Sequence, residues 1–440
     1  MRSLSDTKVL FNRISLDMHP RNAFANHLCA RSMLTISPPD TVENTIRLAV
    51  VATHPIQYQC PVWRELSQVP GLVLSVFFGS DFSVRGYRDS GFGQEIFWTI
   101  PLLDGYQSQS LGSAQIRSGL FFGSFRLWSQ LRAFRPTACL INGYSPLFYW
   151  HAVAVCWLLG VPVMMRAETT DRDRDRGLIH RFVRDVGLRV FYSQITCFLA
   201  IGHNSRSHYR RLGVGESRIG FAPYCVDTAL FEQQYQLRKK GGLRAKLCIP
   251  LNAVVVLFSG KLIPKKDPLT LLRAIQKIPL LESREVHLVF LGDGELRPAL
   301  ERAAADALHK SVHFLGFQPQ EKLGETYTDA DILVLPSVVS ETWGLVVNEA
   351  MQFGLPCIVS DRVGCGPDLV SDGQTGFIFP HGDAGALCQK IVAMAKLLDA
   401  QREKIQLACR DRASSYSVYS AAGGIAVACK QIVSRPCPAT

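Results

Sequence analysis

The sequence predicts an α/β protein built from two doubly wound domains, each a mainly parallel sheet covered by helices on both faces. Three observations carry this. Short apolar, β-branched runs alternate with helical stretches in two successive series, one from Arg47 to Ala222 and one from Val254 to Ala400. Between them lies Arg238-Lys239-Lys240-Gly241-Gly242-Leu243-Arg244-Ala245-Lys246, with five basic residues, two glycines and no acid, a composition suited to a linker. The chain has 440 residues, 47% of them hydrophobic, enough for a full core in each of two domains. That composition excludes a disordered tail, a collagen or a coiled coil.

Taken in order, residues 1–45 contain no long apolar run and are expected to form an extension outside the fold, without a secretory signal. The first domain is expected over 46–237. Arg47–Thr53 reads as a strand, His54-Pro55 as a turn, Tyr58–Gln68 as a helix and Val73–Phe78 as a strand. Arg117–Arg135 interleaves Phe121, Phe122, Phe125, Trp128 and Phe134 with Arg126 and Arg132. It suits either a helix packed on the sheet or one lying on an anionic membrane. From Pro136 to Met165 there is no Asp, Glu, Lys or Arg, and within it the strongly apolar run Leu147–Met165 approaches the ~20 residues that span a bilayer. His151, Gly160 and Pro162 interrupt it. It reads better as strand Ala138–Asn142, helix Pro146–Leu159 and strand Val161–Arg166, the apolar elements of a buried parallel sheet. Phe191–Ile201 and Ile219–Ala222 are expected strands.

After a linker over 238–250, the second domain is expected over 251–415. Its strands are Val254–Ser259, Val286–Leu291, Val312–Leu315, Ile332–Leu335, Cys357–Ser360 and Phe377–Phe379. Leu269–Ile278, Glu295–Leu308 and Asp383–Ala400 are its helices. Residues 416–440 are expected to form a helix and tail packing back on the first domain. Two such domains meeting edge to edge place a cleft at the carboxyl ends of both sheets.

The net charge of +11 points to an anionic partner: nucleic acid, an acidic membrane or a phosphorylated small molecule. No nucleic-acid module is recognisable, and the basic residues are spread over both domains, so nucleic acid is not an expected partner. The 13 cysteines include no CxxC pair, so a zinc site is not expected; they read as small buried apolar residues in a reducing compartment.

The strongest chemical signal is Ser337–Phe353, where a strand end leads through Glu341 into a helix that starts near Thr342-Trp343-Gly344 and carries Glu349. A helix start offers free N–H groups and the positive end of the dipole to an anion. Carboxylates on either side of it suit two polyol groups separated by a pyrophosphate. The alternative is an acid favourable to the dipole followed by an ordinary surface glutamate. Gly260, Lys261 and Lys266 form a second signal: a strand ends in glycine, and two ammonium groups flank the turn that follows. They suit a diphosphate leaving group or a solvated basic turn. Gly292-Asp293-Gly294 and Gly316-Phe317 are further strand-end turns whose backbone can approach a ligand.

These runs occur in one order: Gly260–Pro268, Leu291–Leu300, Phe314–Ser337, Glu341–Asp361 and Asp372–Phe379. With that spacing, the segment from about Val254 to Gly385 resembles the nucleotide-sugar glycosyltransferases of family 4. The resemblance implies the GT-B fold, two Rossmann-like domains facing across a cleft, and transfer with retention of anomeric configuration. Glu341 and Glu349 occupy the two positions of the family's E-x7-E motif, implying contacts to the donor sugar and the ribose. Lys261 and Lys266 match its basic pair at the pyrophosphate, although arginine is commoner at the first. The backbone of Thr342, Trp343, Gly344 and Leu345 would lie at the phosphates, with Gly260, Gly292, Gly294 and Phe317 near the nucleotide.

The amino-terminal half matches less closely. Thr53-His54-Pro55-Ile56-Gln57-Tyr58-Gln59, Gly91-Phe92-Gly93 and Pro101–Tyr106 are similar to a subset linked to surface polysaccharide assembly. His54 would contact acceptor or donor sugar, or else simply cap a turn. The family's usual active-site histidine has Arg166-Ala167-Glu168 in its place. Asp171–Arg176 contains a D-x-D pattern, but each Asp adjoins an Arg, and the run reads as a mobile solvated loop rather than a metal site.

The expected donor is a UDP-, GDP- or ADP-sugar, with no other cofactor and no metal. The expected acceptor is a glycan or lipid-linked hydroxyl, with peripheral contact to an anionic membrane and a location in the cytoplasm, on the inner face of the cell membrane. A sugar-nucleotide epimerase and a catalytically degenerate binding protein are the competing readings.

Overall fold

A computed structural model describes residues 45–89, 94–96, 100–112, 124–171, 177–278, 284–305, 310–339 and 341–434. The expected extension, Gly91-Phe92-Gly93, Arg117–Gly123 and Arg172–Arg176 lie outside them.

The first series begins with β1 (Ile46–Ala52), α1 (Cys60–Ser67) and β2 (Leu72–Phe78). A short antiparallel pair, β3 (Tyr87–Asp89) and β4 (Gln94–Ile96), precedes β5 (Ser108–Ser110). Then come α2 (Ser124–Phe134), β6 (Ala138–Ile141), α3 (Phe148–Leu158), β7 (Val163–Arg166), α4 (Leu178–Ser193), β8 (Cys197–Ala200), α5 (His203–Arg211) and β9 (Ile219–Phe221). Their parallel sheet has the order β5-β2-β1-β6-β7-β8-β9.

Two helices, α6 (Thr228–Leu237) and α7 (Gly242–Lys246), lead to the second series. It comprises β10 (Val254–Ser259), α8 (Pro268–Gln276), β11 (Val286–Leu291), α9 (Arg297–Ala305), β12 (Val312–Gly316), α10 (Leu323–Asp329), β13 (Ile332–Leu335), α11 (Leu345–Gln352), β14 (Cys357–Ser360), α12 (Gly366–Leu369) and β15 (Gly376–Phe379). The order is β12-β11-β10-β13-β14-β15, again parallel. The long α13 (Ala384–Ser415) and then α14 (Val418–Val433) close the chain. Each sheet reverses its winding beside its first strand, at β1/β6 and at β10/β13, where the strand ends open a crevice.

The apolar runs form central strands because both faces are covered: every residue of β6, β7, β8, β10, β13 and β14 is buried. One face of the first sheet packs α2–α5, and the other packs α1 and α14, with Ile425, Cys429 and Ile432 against Val50 and Leu140. Polar residues cap several helix starts. Asp267 caps α8 ahead of Pro268, Asp383 caps α13 through Gly385 and Ala386, and Ser417 caps α14. Helix α13 breaks stride at Gln401 (φ −151°), just past the expected end at Ala400, and then continues.

One expectation needs correction. Phe191–Ser193 is not strand; it is the last turn of α4, where Phe191 and Tyr192 enter the core, and the strand begins at Cys197. Aromatic residues fit a strand or a buried helix face equally well, so composition could not decide. The basic stretch before the second series carries α7 and is tied to the second sheet. Arg244 on α7 is buried, donating to Asp331 Oδ2 at 2.8 Å and to the carbonyls of Asp329 and Ala253. Asp329 in turn accepts from the N–H groups of Gly241 and Leu243, which start that helix. As expected, the apolar run Leu147–Met165 divides into a helix, α3, and a strand, β7, and no helix among the described residues is long and apolar enough to cross a membrane. Of the described cysteines, all but Cys248 and Cys388 are buried.

Helix α14 lies so close to β9 that a Cβ at Gly424 would fall on the carbonyl oxygen of Phe221, whereas at Gly423 it would meet nothing. Gly424→Val is therefore expected to cost about 1–3 kcal/mol or more through forced backbone separation. Gly423→Ala should gain up to ~1 kcal/mol from helix propensity. Urea unfolding of the two variants beside the parent measures both; equal effects would contradict the packing.

Candidate functional site

The loops after β1, β10, β11, β12 and β13 converge at the cleft because a parallel sheet sends every strand-to-helix turn to one edge. A pocket there is lined from the second sheet by Ser259, Gly260, Leu291, Gly292, Phe317 and Glu349, and from the first by Gln57. The turns are packed backbone to backbone. Gly260 N–H donates to Leu291 O at 2.9 Å and Leu262 N–H to Asp293 O at 2.9 Å. Gly292 (φ +135°) touches the Gly260 carbonyl so closely that any side chain would displace it. Gly294 (φ +157°) meets Leu262 in the same way.

The two glutamates occupy different environments. Glu341 precedes α11 and receives Lys266 Nζ on Oε2 at 2.5 Å, a pair with side chains only 16% and 15% exposed. Its backbone is pinned on both sides, N–H to Arg362 O and O from Gly364 N–H. Glu349 is not an ordinary surface residue. Its carboxylate accepts from the Tyr327 hydroxyl at 2.7 Å, and that hydroxyl also lies 3.1 Å from Ser259 Oγ. Burial lifts the Glu349 carboxyl to about 7, against the opposing pull of Tyr327 and of the Lys266 charge.

Helix α11 begins one residue later than expected, at Leu345, because Gly344 adopts the left-handed conformation (φ +100°) as its N-cap. The Trp343 side chain is buried. The indole donates to Asn348 Oδ1 at 2.8 Å and packs near the rings of Tyr224 and Tyr416. Lys261 sits in the loop directly after β10, on the cleft edge of the sheet. Thr342 lies in the short loop between Glu341 and α11.

Across the cleft, His54 is half-buried, 3.0 Å from Thr53 Oγ1 through Nδ1 and with its ring 4.7 Å from that of Phe82. Burial lowers its pKa, so the neutral imidazole prevails at pH 7. Glu168 accepts from Tyr58 at 2.7 Å and from Tyr224. Beneath it Arg166 is buried, donating to the carbonyls of Ala222 and Pro223 and stacking 4.8 Å over the Tyr224 ring. Sequence reasoning placed Glu168 here but missed Tyr58, Tyr224 and Tyr327. A tyrosine inside an apolar helix or strand end carries no spacing that separates a hydrogen-bond donor from a core residue.

Asp171 is exposed, and its carboxylate accepts from His208 Nδ1 at 2.8 Å and from Arg211 and Arg184. Burial opposes the charged form, but the hydrogen bonds from His208 and Arg211 hold this carboxyl well below the usual range. The rest of the D-x-D stretch lies outside the described residues. Among the described residues no group of three or more His, Cys, Asp or Glu is placed to hold a metal ion.

Comparison with known proteins fits this geometry. Residues 240–410 match the family model described as glycosyl transferases group 1. D-inositol 3-phosphate glycosyltransferase of Thermomonospora curvata is 29% identical over 281 residues, 59% of this chain and 64% of that one. The chain thus spans a little under two thirds of the length of that relative. Among solved structures, a glycosyltransferase from Rickettsia africae superposes with a TM-score of 0.68 at 14% identity, over 89% of this chain and all of that one. Anabaena Alr3699/HepE in complex with UDP gives 0.64 at 16% identity, over 88% of this chain and all of that one. At such identities the likeness is one of fold: the chain has the GT-B architecture.

The raised Glu349 pKa has a consequence for stability. Between 4.5 and about 7 only the folded chain keeps this proton, so the stabilisation present at low pH is lost as pH rises through about 7. Glu349→Gln, which cannot ionise, should match the parent near pH 4.5 and exceed it by on the order of 1–3 kcal/mol near pH 8. Urea melts at the two pH values check this, and a pH-independent difference would contradict it.

Proposed function

We propose that the chain is a retaining glycosyltransferase that moves a hexose-type sugar from a nucleotide diphosphate sugar to a hydroxyl acceptor. The observation that carries the reading is the cleft pocket in which glycine backbone and Phe317 stand opposite a desolvated Glu349, with the Lys266–Glu341 pair alongside. The match of residues 240–410 to the glycosyl transferases group 1 model supports it. So does the fold shared with a protein solved in complex with UDP.

In this reading the donor's ribose hydroxyls donate to Glu349, whose carboxylate Tyr327 orients. The diphosphate lies between the start of α11 and the ammonium groups of Lys261 and Lys266. Lys266 meets Glu341 in the free protein; a bound phosphate competes for that cation and leaves Glu341 to accept from sugar hydroxyls. As the bond from the anomeric carbon to the phosphate oxygen breaks, Lys261, Lys266 and the N–H groups of α11 stabilise the negative charge on the departing diphosphate. The acceptor oxygen attacks on the same face, and its proton passes to the leaving phosphate oxygen, so no protein nucleophile is needed. His54 and Glu168 face this centre from the first domain as acceptor or sugar contacts. Domain closure would exclude water and limit hydrolysis. The acceptor is a glycan or a lipid-linked glycan of cell-surface polysaccharide or glycolipid assembly.

The test is product analysis with UDP-, GDP- and ADP-sugars, beginning with UDP-glucose and a mixed hydroxyl acceptor pool. The parent should release nucleoside diphosphate, and Lys266→Ala should lower kcat by about 10²–10³-fold while keeping a cooperative melt. Undiminished turnover in Lys266→Ala, or an isomerised nucleotide sugar formed from donor alone, would overturn the reading.

A further inference from the structure

Helix α4 is apolar on two sides. Inward, Leu188, Phe191 and Tyr192 enter the core, where Phe191 stacks 4.6 Å from Trp150 of α3. Outward, Ile179, Phe182, Val183, Val186 and Val190 recur at helical spacing and stand in solvent, with Ile179 79% and Phe182 66% exposed. A surface helix ordinarily turns a single apolar stripe to the core and a polar face to water. A second stripe of this size on a soluble chain marks a contact surface.

The surrounding charge identifies the partner. Helices α2, α3 and α4 follow one another on one face of the first sheet, crossing from β5 to β8. α2 and α3 contain no acidic residue. The single acid of α4, Asp185, is buried and tied to Arg184 and Arg211. Arg132, Arg135, Arg181 and Arg189 are exposed on or beside these helices, as are Phe125 of α2 and Trp157 and Leu158 of α3. A second copy of the same face would bring arginine to arginine with no exposed acid on these helices between them. An anionic lipid surface answers both features: it neutralises the arginines and takes up the apolar side chains.

We infer that the outer face of α4, flanked by α2 and α3, docks the protein on an anionic bilayer. The lipid-facing alternative weighed for Arg117–Arg135 thus falls mainly to a different helix. The topology gives the docking a direction. The amino end of α4 follows β7, and in a parallel sheet that strand-to-helix connection lies at the cleft edge, the edge at which Glu168 follows β7. Docking there sets the mouth of the cleft at the lipid surface, where a lipid-linked acceptor presents its hydroxyl. That last step rests on the transferase reading; the docking itself does not.

The experiment is co-sedimentation of the full chain with vesicles of phosphatidylcholine, alone or with a one-third share of phosphatidylglycerol. The parent should pellet with the anionic vesicles, far less with the neutral ones, and be released by salt. Phe182→Ser/Val186→Ser/Val190→Ser should remain in the supernatant. Arg181→Glu/Arg189→Glu, which leaves the apolar stripe intact, should bind at least about tenfold more weakly. Melting curves establish that each variant is folded, and donor hydrolysis without vesicles should equal that of the parent. Variants that pellet like the parent would overturn the proposal. So would a parent that ignores vesicles and forms a dimer abolished by the serine substitutions. A parent that pellets as expected but processes no nucleotide sugar would overturn the transferase reading and leave the docking standing.

Discussion

The cleft depends on one buried junction between the two sheets. The carboxylate of Asp368, on α12, accepts from the first backbone N–H of α5, His203, at 2.8 Å, and from the Tyr416 hydroxyl at 3.0 Å. Burial raises its pKa, while these donors and nearby Arg412 favour the charged form. Trp343 lies against the same junction, in space left by Gly202, where any Cβ would strike the indole. The residue that seals the junction thus also belongs to the loop that starts α11. One side chain takes part in both the interdomain junction and the approach to the helix start, and Asn348 accepts a hydrogen bond from it.

Within the cleft, the free protein is arranged as a charge-balanced site. Lys266 and Glu341 satisfy one another, and Glu349 is desolvated and leans on Tyr327. A buried carboxylate and a paired lysine are costly to leave without partners. A ligand carrying two phosphates and two sets of hydroxyls offers complements to all three groups at once. Such preorganised polar groups in a partly dry crevice discriminate between ligand and water, because their dipoles need not reorganise on binding. The Arg166–Glu168–Tyr58–Tyr224 cluster on the facing domain is built on the same principle, a charged group held by tyrosine hydroxyls over a buried cation.

The basic excess divides by location. Part of it is structural, as in Arg244 of α7 and Arg211 and Arg184 around Asp171. A small part faces the cleft as Lys261 and Lys266. The remainder includes the exposed arginines of α2 and α4, on a face whose one helical acid is buried. A single net charge of +11 therefore covers three different physical uses.

The sequence by itself determined the two alternating series and the convergence of Gly260, Lys266, Gly292, Glu341 and Glu349 on one sheet edge. These follow from local rules: residue periodicity, turn chemistry, and the direction in which a parallel sheet sends its loops. The tertiary structure alone decided that Phe191–Ser193 ends a helix, that Arg244 and Asp171 are held in ion pairs, that Tyr327 supports Glu349, and that α4 turns a second apolar stripe outward. Each of these depends on what a side chain meets far along the chain. Tyr327 lies 22 residues from Glu349 and Arg244 lies 87 from Asp331. Local propensity and periodicity show which side chains share a face, but only packing decides which face meets the core and which meets a ligand, a lipid surface or water.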